Sequence, residues 1–344
     1  MGLFNRLANF VTFGAVDRSE ANRRIKDSEA WQERAKERLE SQRSATKSSI
    51  EKLGTAKFVA FENSLVGFHN RCKRIGKSEL SRLRISNSNF SAHDVKQINH
   101  EIGKQVVELK AIGVSVGGGI VAGSVAAGGT VFAVSAFGVA GTGTAIGSLS
   151  GVAATNATLA WLGGGSLATG GAGVVGGMAV LGGIALAPIA IFGMFMGASK
   201  GKQKLEKAKE FEAEVDLLVE RIETLILELR LIGKASNTFT KVVVGVDKIC
   251  QVLNEKLDPI IARLEARSIF KKIKDFISSR FLGKNFLLSD EILSFQNALQ
   301  SAMVLKGLID KPVMNEDGSY VQDCLDFVNG VKSQEDELKL LTQQ

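Results

Sequence analysis

The longest absence in this 344-residue sequence is of charge. From Ala111 to Ser199, 89 residues pass without one Asp, Glu, Lys, Arg or His. A soluble segment of that length ordinarily carries about 20 charges, so this run is not an ordinary solvated surface. It also offers no general acid, base or ionic metal ligand, which excludes it as a catalytic centre. Proline is scarce, with three in the chain, and tyrosine occurs once. Few prolines mean few obligatory breaks, so long helices are allowed. The three cysteines, Cys72, Cys250 and Cys324, lie far apart with no CxxC spacing. That excludes a disulfide framework and a zinc knuckle, and it predicts free buried thiols in a reducing compartment.

The N-terminus lacks a basic region followed by an apolar stretch and a small-residue cleavage site, and Arg6 breaks the myristoylation pattern. Synthesis in the cytoplasm is expected. Formal net charge is +7, but residues 1–110 hold 21 Lys/Arg against 13 Asp/Glu, whereas residues 200–344 are nearly balanced. The basic excess therefore sits N-terminally, where it favours an anionic lipid surface over nucleic acid.

What fills the uncharged run is glycine, 24 of the 37 in the chain. Ile112–Ala140 and Val174–Ala198 are apolar and long enough to span hydrocarbon, which takes about 20 residues. Lysines flank the run on both sides, so both ends are expected to stay cytoplasmic with an even number of crossings. The glycines recur at i, i+4: Gly113/Gly117, Gly119/Gly123, Gly143/Gly147/Gly151, Gly173/Gly177 and Gly193/Gly197/Gly201. That spacing clears one helix face and lets a second helix approach closely in lipid. In water, a helical glycine costs about 1 kcal/mol relative to alanine. Thr155, Asn156 and Thr158 are the polar groups expected to line a pore or bond between helices, unless they cap a helix outside the bilayer. Gly163-Gly164-Gly165-Ser166 has no following lysine and no strand before it, and reads as a helix break.

The flanks read as helix. Phe211, Val215, Leu218, Ile222, Leu225, Leu229, Ile232, Ser236, Phe239, Val243, Val246, Cys250, Leu253, Leu257 and Ile260 alternate in steps of four and three. This is a heptad seam, with Pro259 marking its end or a kink. Its partner is either the chain's own N-terminal helix or a second copy. Phe58, Phe61, Leu65, Phe68, Cys72 and Ile75 form a second seam, whereas residues 18–49 have few strong apolar groups and read as a solvated arm. Ser86–Ser91 reads as a loop, and Ser91 with Asp94 as a capping box opening the helix into the run. His93 and His100 share that helix without a third ligand, so no metal site is expected.

Three patches suit a membrane surface: the apolar face of Leu3, Phe4, Leu7, Phe10 and Val11; the basic group Arg71, Lys73, Arg74, Lys77, Arg82 and Arg84; and an apolar stripe from Ile269 to Phe281. Beside that stripe lie Arg267, Lys271, Lys272, Lys274, Arg280 and Lys284, the pattern of an interfacial helix. A capped amphipathic helix over 289–309 and a turn through Pro312 and Asn315–Gly318 complete the chain.

The string Gly141-Thr-Gly-Thr-Ala-Ile-Gly-Ser-Leu-Ser-Gly151, continuing through Ala153 to Ala168, resembles a family of bacterial proteins sometimes labelled chemotaxis proteins. Its members have helical flanks, such a glycine-rich centre and a late Pro-x-x-x-x-Asp-Gly turn, here Pro312 to Gly318. The resemblance implies a bacterial origin and brings no activity. In plan, the chain is also distantly similar to apolipoprotein L and to helical pore-forming toxins.

The expectation is an all-α fold in which long coiled-coil helices frame a glycine-zipper hydrophobic hairpin. The segments are 1–110, a basic helical region; 111–199, the membrane-inserting run; 200–262, the heptad helix; and 263–344, an amphipathic helical region. The expected function is membrane insertion from the cytoplasm at the inner membrane, as a pore-former or membrane-perturbing effector. The expected partners are anionic lipid and further copies, with no nucleic acid, no cofactor and no enzymatic activity. A membrane-anchored scaffold, or a soluble bundle burying the hairpin, is the alternative.

Overall fold

The computed structural model describes residues 15–75, 92–111, 201–266, 288–311, 313 and 320–342. Among these residues every regular element is a helix and there is no strand, so the fold is all-α. Helix α1 (Ala15–Ala60) passes through a π-helical turn, Phe61–Val66, into α2 (Gly67–Ile75). Then come α3 (Ala92–Ala111), α4 (Gly201–Glu255), α5 (Asp258–Glu265), α6 (Ser289–Asp310) and α7 (Cys324–Leu341). The two longest, α1 and α4, have no proline in 46 and 55 residues. Pro259 sits in the first turn of α5, where its missing N–H has no helical acceptor to lose. The break expected there falls at Lys256–Leu257, immediately ahead of it.

The described chain folds as two compact units, and α1 and α4 each contribute to both. The first unit joins residues 15–48 to 201–233. Along α4 the seam positions Phe211, Val215, Ile222 and Leu229 are buried, with Leu218 and Leu225 partly buried among them. Along α1 the buried positions are Ala21, Ile25, Ser28, Gln32, Ala35 and Leu39, advancing in the same steps of four and three. Arg24 meets Glu212, Arg38 meets Glu223, and the Thr46 hydroxyl donates to the Leu229 carbonyl. Residue numbers rise together on both helices, so the pair is parallel. The seam of α4 is thus closed by the chain's own N-terminal helix. Residues 18–49 are correspondingly one face of a coiled coil, and the solvated arm read from the sequence is corrected. Sequence pattern missed that face because small and polar side chains occupy it.

The second unit holds the ends of α1 and α4 together with the π turn, α2, α3, α5, α6 and α7. Here too the long helices run parallel: Ser49 meets Asn237, Ser64 meets Asp247, Arg71 meets Asp258 and Arg74 meets Glu265. All six residues of the second predicted seam, Phe58 to Ile75, are buried. The π turn packs on α3 and α6, α2 packs on α3 and α5, and α6 packs on α7. Phe61, Phe68, Phe239 and Phe295 are fully buried, with the Phe68 and Phe295 ring centroids 5.9 Å apart. Each such side chain contributes roughly 1.5–3 kcal/mol of apolar burial, so this aromatic centre fixes how the shorter helices sit on the pair.

Candidate functional site

Of the residues singled out for helix packing in lipid, only Gly201 falls within the described residues, as the first residue of α4. Gly113 through Gly197, the polar trio Thr155, Asn156 and Thr158, and the basic set Arg267 to Lys284 lie outside them. So do the N-terminal apolar face, the Ser86–Ser91 loop, and Pro312 with Asn315–Gly318. Among the described residues, no helix is long and apolar enough to cross a membrane.

Within the second unit, a polar cluster is built around the π turn. A π turn widens the helix by one residue and shifts backbone carbonyls out of the usual hydrogen-bond pattern. The Ser64 carbonyl, which receives the Gly67 N–H, also accepts from Asn254 Nδ2 at 2.9 Å. The Ser64 hydroxyl donates to Asp247 Oδ1, and Gln251 Nε2 donates to Asp247 Oδ2 at 2.8 Å. Asp247, Gln251 and Asn254 lie four and three residues apart, so one face of α4 presents all three. Burial pushes the Asp247 carboxyl above its ordinary range, and the Ser64 and Gln251 donors pull it back. Glu62 Oε1 and Asn254 Oδ1 are buried without a hydrogen-bond partner among the described residues. The cluster clamps α1, at its wide turn, to α4.

Two further buried groups brace this unit. Lys57 is 9% exposed, donates to the carbonyls of Ile309 (3.0 Å) and Lys311 (2.7 Å), and lies 4.6 Å from the Phe239 ring centroid. It therefore caps the C-terminal end of α6, where carbonyls lack helical partners. Burial lowers its pKa from 10.5 to about 8, against smaller opposing effects of Cys324 and Asp310. His69 is buried with Nδ1 against Asn99 Oδ1 of α3. Burial holds its pKa below the ordinary value, Asn99 opposes that, and nearby Lys73 adds to it. The neutral ring is the favoured form, with Nδ1–H donating to Asn99. Gly103 lets α3 come this close, since a Cβ there would lie 3.0 Å from His69 Cε1.

The three cysteines are free and buried, as their spacing predicts. Burial pushes the Cys72 and Cys250 thiols up to about 12 and raises Cys324 as well, so the thiolate is suppressed. Among the described residues no group of three His, Cys, Asp or Glu can hold a metal. His93 and His100 are both exposed on α3, while Val95, Ile98 and Ile102 form its buried side.

The basic group from Arg71 is corrected in part. Arg71 makes a two-bond contact with Asp258 at 2.9 and 2.7 Å, and Arg74 a similar one with Glu265 at 2.9 and 2.9 Å. Both arginines serve the α2–α5 contact. Carboxylates far away in sequence neutralise them, which a reading by sequence neighbourhood could not show. A separate open groove of 420 Å³ lies between α6 and α7, lined by Met303, Val304, Phe327, Val331 and Leu338 with Gln300, Gln334 and Glu337 at its polar edge. It holds no titratable pair and carries no chemistry of its own. Compared with known protein families, curated proteins and solved structures, the chain matches none.

Proposed function

We propose that this chain is a membrane-inserting helical protein that acts from the cytoplasmic face of a bacterial inner membrane as a pore-former or membrane-perturbing effector. One observation carries the reading: 89 consecutive residues without an ionisable side chain, rich in glycine at i, i+4 spacing, set between flanks that hold every charge in the chain. In this reading Gly113, Gly117, Gly119, Gly123, Gly143, Gly147, Gly151, Gly173, Gly177, Gly193, Gly197 and Gly201 are the contacts between inserted helices. Thr155, Asn156 and Thr158 line the lumen or bond between helices, Arg267 to Lys284 dock on anionic lipid, and several copies assemble. In the first unit the seam that a scaffold partner would need is packed by α1.

The test is flotation of the full-length protein with dye-loaded anionic vesicles, recording binding and release together. Floating with release is expected. Floating without release would reduce the chain to an anchor, and failure to float with vesicles of any composition would sink the proposal. Gly147→Leu with Gly197→Leu is expected to keep binding and abolish release, because each leucine blocks a close helix approach.

A further inference from the structure

The two faces of the first unit's coiled coil are unequal. The α4 face is apolar throughout: Phe211, Val215, Val219, Ile222, Ile226 and Leu229 are all buried. The α1 face that covers it contains only two large apolar side chains, Ile25 and Leu39. Its other buried positions are Ala21, Ser28, Gln32, Ala35, Arg43 and Thr46. Polar residues in a coiled-coil seam fix register at a cost in stability. Arg43 is the extreme case, 4% exposed, with Nη1 held by Glu40 of its own helix. Its Nε and Nη2 are buried with no hydrogen-bond partner among the described residues. A buried guanidinium left partly unpaired opposes the closed state. The ion pairs across the seam, Arg24–Glu212 and Arg38–Glu223, are at least partly exposed and so are weakened by salt.

In the second unit the same α1–α2 strip changes character. From Leu53 onward its buried face carries seven large side chains, Phe58, Phe61, Leu65, Val66, Phe68, Cys72 and Ile75, against two in the first unit, although Lys57, Glu62, Ser64 and His69 are buried beside them. One continuous helical strip is therefore glued at one end and loosely seated at the other. The change falls near Ser49, where the two units divide.

We infer that residues 15–48 are a releasable cover over the apolar face of α4, so that α1 holds the chain in a closed form and its detachment bares six large apolar side chains. The freed face lies on the helix that begins directly after the uncharged run. That makes release a regulator of membrane engagement, and this second half of the inference rests on the membrane reading above. The release itself does not.

The experiment is hydrogen exchange read by mass spectrometry on the full-length protein without lipid, repeated in about 0.5 M salt, where exposed ion pairs are screened. Amides of 21–48 are expected to open at least ~10-fold more readily than those of 53–75, with a wider gap in salt. Equal protection of the two stretches overturns the inference. The variant Gln32→Leu with Arg43→Leu replaces polar seam residues by apolar ones. It is expected to slow exchange in 21–48 by at least ~10-fold, leave 53–75 unchanged, and lower dye release from anionic vesicles. Slowed exchange with undiminished release overturns the regulatory half while the membrane reading stands. Slowed exchange with neither protein floating overturns the membrane reading and leaves the cover intact.

Discussion

Lys57→Met isolates the cost of a buried ammonium. The Lys57 side chain is enclosed, and its pKa falls from 10.5 to about 8. The unfolded chain therefore binds this proton more tightly than the folded one. The folded-state pKa is depressed, so the lysine opposes folding most strongly below pH 8, and the penalty is relieved as pH rises from there towards 10.5. From these two values the penalty is roughly 3 kcal/mol near pH 7, and about 1.3 kcal/mol of it is removed by pH 9. Methionine of similar length keeps the packing against Phe239 but leaves the Ile309 and Lys311 carbonyls without this donor. The net change at one pH mixes the two effects. The pH dependence separates them, because the lost hydrogen bonds are present or absent at every pH. Urea unfolding followed by circular dichroism, at pH 7 and pH 9, gives four stabilities. The wild type is expected to gain about 1.3 kcal/mol on the methionine variant between the two conditions. The raised thiol pKa values of Cys72 and Cys250 act the other way above pH 9, but both proteins share them and they cancel. A wild-type-minus-variant difference that stays flat, or falls, refutes the argument that burial dominates at Lys57.

Phe239→Ala removes a ring with no solvent exposure from the second unit's core, and a loss of about 3–5 kcal/mol in urea unfolding is expected. A loss under about 1 kcal/mol would mean the core collapses around the gap or is not packed as described. A thiol reagent at pH 8 is expected to modify none of Cys72, Cys250 and Cys324 in the native protein and all three in denaturant, since burial raises every one of their pKa values. Prompt native labelling of Cys72 or Cys250 would contradict their placement.

The all-α class was legible because apolar spacing is loud where side chains are large. Phe58 to Ile75 and Phe211 to Ile260 repeat every three or four residues, and nearly all of these positions are buried. The first half of α1 was illegible for the opposite reason. Its seam uses Ala21, Ser28, Gln32, Ala35 and Thr46, residue types that sit as readily on a surface, and only the repeating three-four step separates them from their neighbours. The N-terminal helix was one of two candidate partners for the α4 seam, but neither the choice between them nor the parallel direction could be read. The pairing joins residues some 180 to 190 positions apart, as Thr46 with Leu229 and Ser64 with Asn254 show. The buried cluster at Ser64 and Asp247 was missed because a wide helical turn has no sequence signature, and because Asp247 beside Lys248 reads as an ordinary surface pair.

The π turn has a consequence for how the chain tolerates changes in length. Of its six residues, five are buried: Phe61, Glu62, Ser64, Leu65 and Val66. An ordinary helical turn pressed on one neighbour hides about half its residues, whereas this one touches α3, α4 and α6 at once. The buried seam runs through it without a break, from Phe58 through Phe61 and Leu65 to Phe68 and Cys72 in steps of three and four, and one residue more or fewer would rotate everything downstream by roughly a quarter of a turn. Substitutions within it test packing, but deleting a single residue resets the phase, so the arginines of α2 lose their alignment with Asp258 and Glu265 together. Chain length through residues 61–66 is therefore as much a specification of this fold as the identity of any side chain there.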